Sequence, residues 1–165
     1  FHPGDGKPAR RIVVAGLGER KNFNAEQIRR SAGFSGPKLK VSKTVYAVLP
    51  LEQRLSVESG EQAQALYEGL ALGLYQFDRY KSSRSKGKGL ETLRVLSETD
   101  SQKNQIKKGL DLGKIFSDGT MLARDLVNEP PSSSTPRWLA KEASKTAAKT
   151  LLDSKSFITH SRPLI

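Results

Sequence analysis

The stretch "ARDLVNEPPSSSTP", residues 123–136, decides how the chain is divided. A helical pattern enters it and another leaves it. Two prolines, three serines, a threonine and a third proline lie between. Proline removes a backbone donor and clashes with the preceding turn, while serine and threonine bond their own backbone in turns and caps. The composition predicts a domain boundary inside 127–136. Residues 1–127 form one domain with a connecting helix, and residues 128–165 form a linker and the start of a second domain. Ser134 or Thr135 can cap the new helix, with Pro136 in its first turn. Trp138, Leu139, Ala143 and Ala147 suit one face of it. "KSFITH" (155–160) reads as a short strand. One helix and one strand do not bury a core, so this tail is the beginning of an α/β domain.

Upstream, "RIVVAGLG" (11–18) is a β-branched run closed by glycines and predicts a buried strand. "NAEQIRRSAG" (24–33) predicts a helix capped by Asn24, with Glu26 in its first turn and Gly33 as its stop. Pro37 is expected to break or kink the pattern after Gly33. "KTVYAVLP" (43–50) is a second strand. Ala63, Leu66, Tyr67, Leu70, Leu74 and Phe77 recur at helical spacing over 60–77. "ETLRVLSE" (91–98) alternates, with Leu93 and Val95 on one face. A long helix then runs from Ser101 to about Val127, striped by Ile106, Leu110, Gly113, Phe116, Leu122 and Leu126. Gly109, Gly113 and Gly119 cost helix propensity, which predicts close packing against a neighbour. The order β-α-β-α-β-α argues for an α/β layer structure with a mixed or mostly parallel sheet.

Composition bounds the function. There is no cysteine among the 165 residues, which excludes disulfides and thiolate metal sites and suits a reducing cytoplasm. No apolar run approaches the ~20 residues of a membrane span, so no membrane partner is expected. "FHPGDGKPARR" has no apolar core of a signal peptide, and a chain starting at Phe1 reads as trimmed at its N-terminus. Net charge is +11, and "RYKSSRSKGK" (79–88) supplies five basic and no acidic residues. Arg79, Lys81, Arg84, Lys86 and Lys88, interleaved with Tyr75, Phe77 and Tyr80, are therefore candidate nucleic-acid contacts. The plainer reading is a solvated loop, exposed and mobile over 82–89.

Catalytic patterns are absent from the residues. Gly16 and Gly18 end the first strand, but a dinucleotide fingerprint needs a third glycine and an earlier helix. His2 and His160 are isolated, so no histidine metal site is expected. Asp118, Asp125 and Glu129 could share a helix face, yet such acids more often pair with Lys114 or Arg124. The serines of "SSST" lack a nucleophile elbow. No catalytic and no metal-binding residue is assigned.

"EGLALGLYQFDRYKS" (68–82), a strand, and a long helix ending "GTMLARDLVNEPPSSSTPRWLAKEA" (119–143) together resemble the leucyl (cytosol) aminopeptidase family. Its members carry an aromatic-Phe-Asp-x-Tyr-Lys helix end and an Ala-Arg-x-Leu-x-Asn-x-Pro segment leading through a Thr-Pro cap. "VVAGLG" (13–18) is similar to its Gly-Leu-Gly strand end, and the resemblance covers roughly 11–165. It implies a macro-domain-like layered sheet with flanking helices, a long linker helix, and the first helix and strand of a metallopeptidase domain. It implies a cytoplasmic, typically hexameric metal-dependent aminopeptidase (a hydrolase acting on peptides), with two divalent cations, zinc or manganese, in that catalytic domain. The family's ligand segment, Asn-Thr-Asp-Ala-Glu-Gly-Arg, does not occur here, so the resemblance implies no cofactor in this chain and no activity of the chain alone. Its partners would be its own C-terminal catalytic domain and further copies. The resemblance also raises DNA as a partner, since some relatives bind it, and a macro-like fold raises ADP-ribose as another ligand; fold similarity alone is a weak warrant for that.

Overall fold

The computed structural model describes residues 11–50, 57–82 and 90–150. Its elements are α1 (Ala25–Leu39), β1 (Thr44–Ala47), α2 (Ser59–Leu74), β2 (Thr92–Val95), α3 (Asp100–Asn128) and α4 (Pro136–Thr150). It is a mixed α/β structure of four helices and a small parallel two-stranded sheet. The chain divides into two compact units, Phe1–Leu122 and Ala123–Ile165.

In the first unit, α1 starts where its cap predicts. Asn24 is extended, and its side-chain oxygen accepts the Gln27 N–H at 3.1 Å. The helix does not stop at Gly33 or break at Pro37; it carries both and ends at Leu39. Pro37 lies in the last turn, where the ring removes one hydrogen bond and disturbs little beyond it. The freed acceptor is the Gly33 carbonyl, and α2 covers it. A Cβ on Gly73 would overlap that oxygen, and a Cβ on Gly69 would overlap the Arg29 oxygen. Two backbones thus meet without side chains between them.

The opposite face of α2 meets α3 in the same way. A Cβ on Gly109 would overlap the Gly60 carbonyl, and one on Gly113 would stand 2.9 Å from the Gln64 oxygen. Ile106, Gly109, Gly113 and Ser117 are the buried residues of α3. Gly119, expected to pack closely, has nothing within 4 Å of its Cβ position. Phe116, read as part of the buried stripe, is 55% exposed. The face toward α2 follows small residues at a four-residue spacing, and Phe116 lies off that line.

β1 and β2 pair in parallel, Thr44 with Thr92 through Ala47 with Val95. The Lys43 carbonyl receives both the Glu91 and Thr92 N–H groups, and the Leu96 N–H closes the ladder on Ala47. A parallel pair needs a crossover, which α2 supplies. Two small cores flank α2. Phe23, Ile28, Val57 and Ala65 form one; Leu49, Ala63 and Ile106 form the other, and Leu66 touches both.

The expected strand at 11–18 does not form. These residues carry no strand or helix, and Ile12 and Val14 are 81% and 90% exposed. A strand exists only through its partner, and no described strand lies beside this one. Gly18 turns the chain with φ of +79°, a conformation open to glycine.

In the second unit, α3 ends at Asn128 and α4 begins at Pro136. The Thr135 hydroxyl accepts the Trp138 N–H at 3.3 Å, so Thr135 is the cap. The strand expected at 155–160, His2 and His160 lie outside the described residues.

Candidate functional site

The first unit is joined across α1 and α2 by a charged node. The Arg29 guanidinium donates to Glu68 at 2.6 Å and to Glu26 at 2.5 Å. Arg30 donates to the other Glu26 oxygen at 2.9 Å, and the Gln64 amide donates to the other Glu68 oxygen at 2.8 Å. Burial lowers the Arg29 pKa, but the bonds from Glu68 and Glu26 outweigh it, and the pKa is raised above its ordinary value. The hydrogen bonds from Arg29 and then Arg30 hold the Glu26 carboxyl below its ordinary value. Glu68 is only 8% exposed, yet both its oxygens are bonded. This node ties the two helices together.

A second feature is an open groove of about 440 Å³ between residues 13–18 and α1, lined in part by Val14, Gly18, Arg30, Ser31, Phe34 and Lys38. The Ser31 hydroxyl donates to the Gly16 carbonyl at 3.2 Å and holds the extended segment against the helix. Phe34 is 75% exposed, with the Lys38 ammonium 4.6 Å from its ring centre.

Of the residues singled out as nucleic-acid contacts, Arg79 and Lys81 follow α2. Lys81 pairs with Asp78 at 2.6 Å, and Arg79 lies 5.7 Å from the Phe77 ring centre. The Phe77 and Tyr80 rings are 6.0 Å apart. Arg84, Lys86 and Lys88, with the loop to residue 89, lie outside the described residues. The helix α2 ends at Leu74, so Tyr75 and Phe77 leave it where the sequence pattern would continue it. Sequence reasoning passes over "KLKVSK" (38–43) because the lysines fall across a helix end. The structure places that segment beside the post-α2 segment, through a hydrogen bond from the Lys40 ammonium to Gln76.

The acids considered for a shared face fall in different units, Asp118 in the first and Asp125 and Glu129 in the second. Asp118 pairs with Lys114, whose pKa its hydrogen bond raises. Glu129 is buried in the second unit, and Asp125 is half-buried there. Among the described residues no group of three or more His, Cys, Asp or Glu is placed to hold a metal ion. These residues do not fit a divalent-cation centre, and no metal-dependent step is derived for them. No described helix is long and apolar enough to cross a membrane.

Comparison with known proteins gives these features a context. The N-terminal domain of the cytosol aminopeptidase family matches residues 1–84, half of the chain. The chain belongs to the cytosol aminopeptidase family. A probable cytosol aminopeptidase of Aquifex aeolicus is 33% identical over 146 residues, covering 88% of this chain and 28% of the relative. One from Alkaliphilus oremlandii is 31% identical over 144 residues, covering 85% and 28%. Among solved structures, the bottromycin maturation enzyme BotP in complex with Mn superposes with a TM-score of 0.70 at 30% identity. That match covers 92% of this chain and 30% of BotP. The chain thus spans less than a third of the length of these relatives. The glycine-seated helices and the parallel strand pair form an N-terminal region of the cytosol aminopeptidase type.

Proposed function

We propose that this chain is the non-catalytic N-terminal portion of a leucyl-aminopeptidase-like metalloexopeptidase that releases N-terminal residues from peptides. The observation that carries the proposal is coverage: BotP matches 92% of the chain with 30% of its own length. On this reading the first unit is the macro-like domain, completed by further strands on the sheet, and α3 is the connecting helix. The Thr135-capped α4 is the first helix of the peptidase domain. Two divalent cations, zinc or manganese, and the peptide site belong to that domain beyond the chain. A bound metal would activate water there. The present residues contribute assembly, as a hexamer, and restriction of access.

The proposal is tested with the purified 165-residue chain on leucine p-nitroanilide with added manganese or zinc. No turnover is expected, while the full-length Aquifex aeolicus relative, run alongside, turns over. A chimera carrying this chain in place of the matched 146 residues of that relative is expected to keep turnover. Turnover by the 165-residue chain, or a folded chimera with none, overturns the proposal.

A further inference from the structure

We propose that the face of α3 carrying Leu112, Ile115, Phe116 and Gly119 packs against the same face of a second copy, with the two helices antiparallel about a two-fold axis. This goes beyond the peptidase reading. It names a contact that the 165-residue chain makes by itself, and it is read by association, not by turnover, so either can fail alone.

The four positions lie on one side of the helix over about two turns, and all fall in the first unit. Leu112, Ile115 and Phe116 are 46%, 65% and 55% exposed, whereas the buried Ile106, Gly109, Gly113 and Ser117 mark the face toward α2. Contiguous large apolar side chains on a surface mark an interaction site. Gly119 stands next to them. A glycine inside a helix costs stability. At Gly109 and Gly113 the close approach of α2 requires it; at Gly119 nothing lies within 4 Å of a Cβ position. Its cost is therefore not offset among the described residues, and a helix laid on this face would meet a hole there.

A second copy fits because the pattern is its own complement. The midpoint between Ile115 and Phe116 is equally far along the helix from Leu112 and from Gly119. A two-fold axis through it seats Leu112 in the hole at the partner's Gly119 and sets Ile115 against the partner's Phe116, each contact occurring twice. Charge agrees. Residues 100–114 carry Lys103, Lys107, Lys108 and Lys114 against Asp100 and Asp111, net +2, while residues 115–122 carry Asp118 alone, net −1. Antiparallel helices lay unlike halves together, and their dipoles also oppose. The area sets the strength. Three side chains and a glycine cover well below the ~800 Å² per partner of a standard interface, so the dimer is weak and depends on concentration.

The test is sedimentation equilibrium of the 165-residue chain from micromolar to submillimolar concentration. The mass is expected to rise from 18.1 kDa toward twice that value and no further. Ile115→Glu is expected to raise the dissociation constant at least about tenfold. Gly119→Ala is expected to raise it about fivefold while stabilising the dissociated chain, a split that a merely structural glycine would not give. Val14→Glu, at a residue 90% exposed elsewhere in the first unit, is expected to leave it unchanged. The chain has no cysteine, so oxidation can read the register. Mixed L112C and G119C chains are expected to join to each other faster than either joins to itself. Like positions in the antiparallel pair stand ~10 Å apart along the axis, beyond disulfide reach. A mass that stays at 18.1 kDa overturns the proposal. So does growth past two copies, an equal loss from Val14→Glu, or a preference for like-with-like disulfides. Far-UV circular dichroism of each variant, matched to the parent chain, separates these outcomes from unfolding.

Discussion

Helix α1 and the segment before it are neighbours in sequence with opposite relations to the rest of the chain. "RIVVAGLG" is the more hydrophobic of the two, yet Ile12 and Val14 stand almost fully in solvent. The helix is polar and rich in glycine, yet Ile28, Ala32, Ser35 and Gly36 are buried. A helix satisfies its backbone within itself and needs only a surface to lie on. An extended segment must find its hydrogen bonds on another strand. Hydrophobicity says which residue should be covered; the available partner decides whether it is.

The sharpest way to break this contrast is to truncate one side chain on each side of it. Ile28→Ala opens the buried cluster around Phe23 and is expected to cost about 3 kcal/mol in urea unfolding. Val14→Ser removes a larger share of hydrophobicity from the sequence. At 90% exposed, it is expected to shift stability by less than about 0.5 kcal/mol. A comparable loss at Val14 would show that the segment is covered in solution.

Glycine gives a second, smaller test. Gly109→Ala gains helix propensity of about 1 kcal/mol but drives a methyl into the Gly60 carbonyl. The net expectation is a loss of about 2 kcal/mol, from forced separation of α2 and α3. Gly119→Ala makes the same chemical change in the same helix with open space around it. It is expected to stabilise by about 0.5–1 kcal/mol. The same sign at both positions would contradict the close approach.

The smallest effect sharpens the node between α1 and α2. The folded-state pKa of Glu26 is depressed below the ordinary 4.5 by Arg29 and Arg30. Its contribution is therefore present above that ordinary value and is lost as pH falls through the lowered one. Unfolding followed between pH 5 and pH 2 should show a shallower acid decline for Glu26→Gln than for the parent chain. Identical slopes would mean that the pair is screened out in solution.

Much of the fold is legible from local chemistry. The Asn24 cap, the Thr135 cap, and the long helix to about Val127 are each marked by residues that act on their own backbone. So is the break after "NEPP". The features that are not legible depend on a second element. The end of α1 lies beyond its expected stop because Pro37 in a last turn costs one bond, not the helix. Gly119 and Gly109 look alike in sequence, and only the position of α2 distinguishes them. For the candidate site, charge counting within one segment finds Arg79 and Lys81. It does not find the approach of Arg11 and Phe34 to Lys38, or of Lys40 to Gln76, since these are products of packing. The strand expected at 11–18 is not found, and among the described residues no strand lies beside that segment.

The meeting of Gly33, Pro37 and Gly73 also has a spectroscopic consequence. Pro37 has no N–H to offer the Gly33 carbonyl, and the space before that oxygen is filled by the Gly73 backbone. What faces the oxygen there is the Gly73 backbone, whose Cα–H is a weak donor. The carbonyl stretching frequency should stand above the helical amide band, where an isotope label of heavy carbon and oxygen at Gly33 would resolve it. As α1 and α2 part, water would reach the oxygen and the band would fall. A single carbonyl would then report the spacing of two helices in the infrared, with no probe attached to the protein.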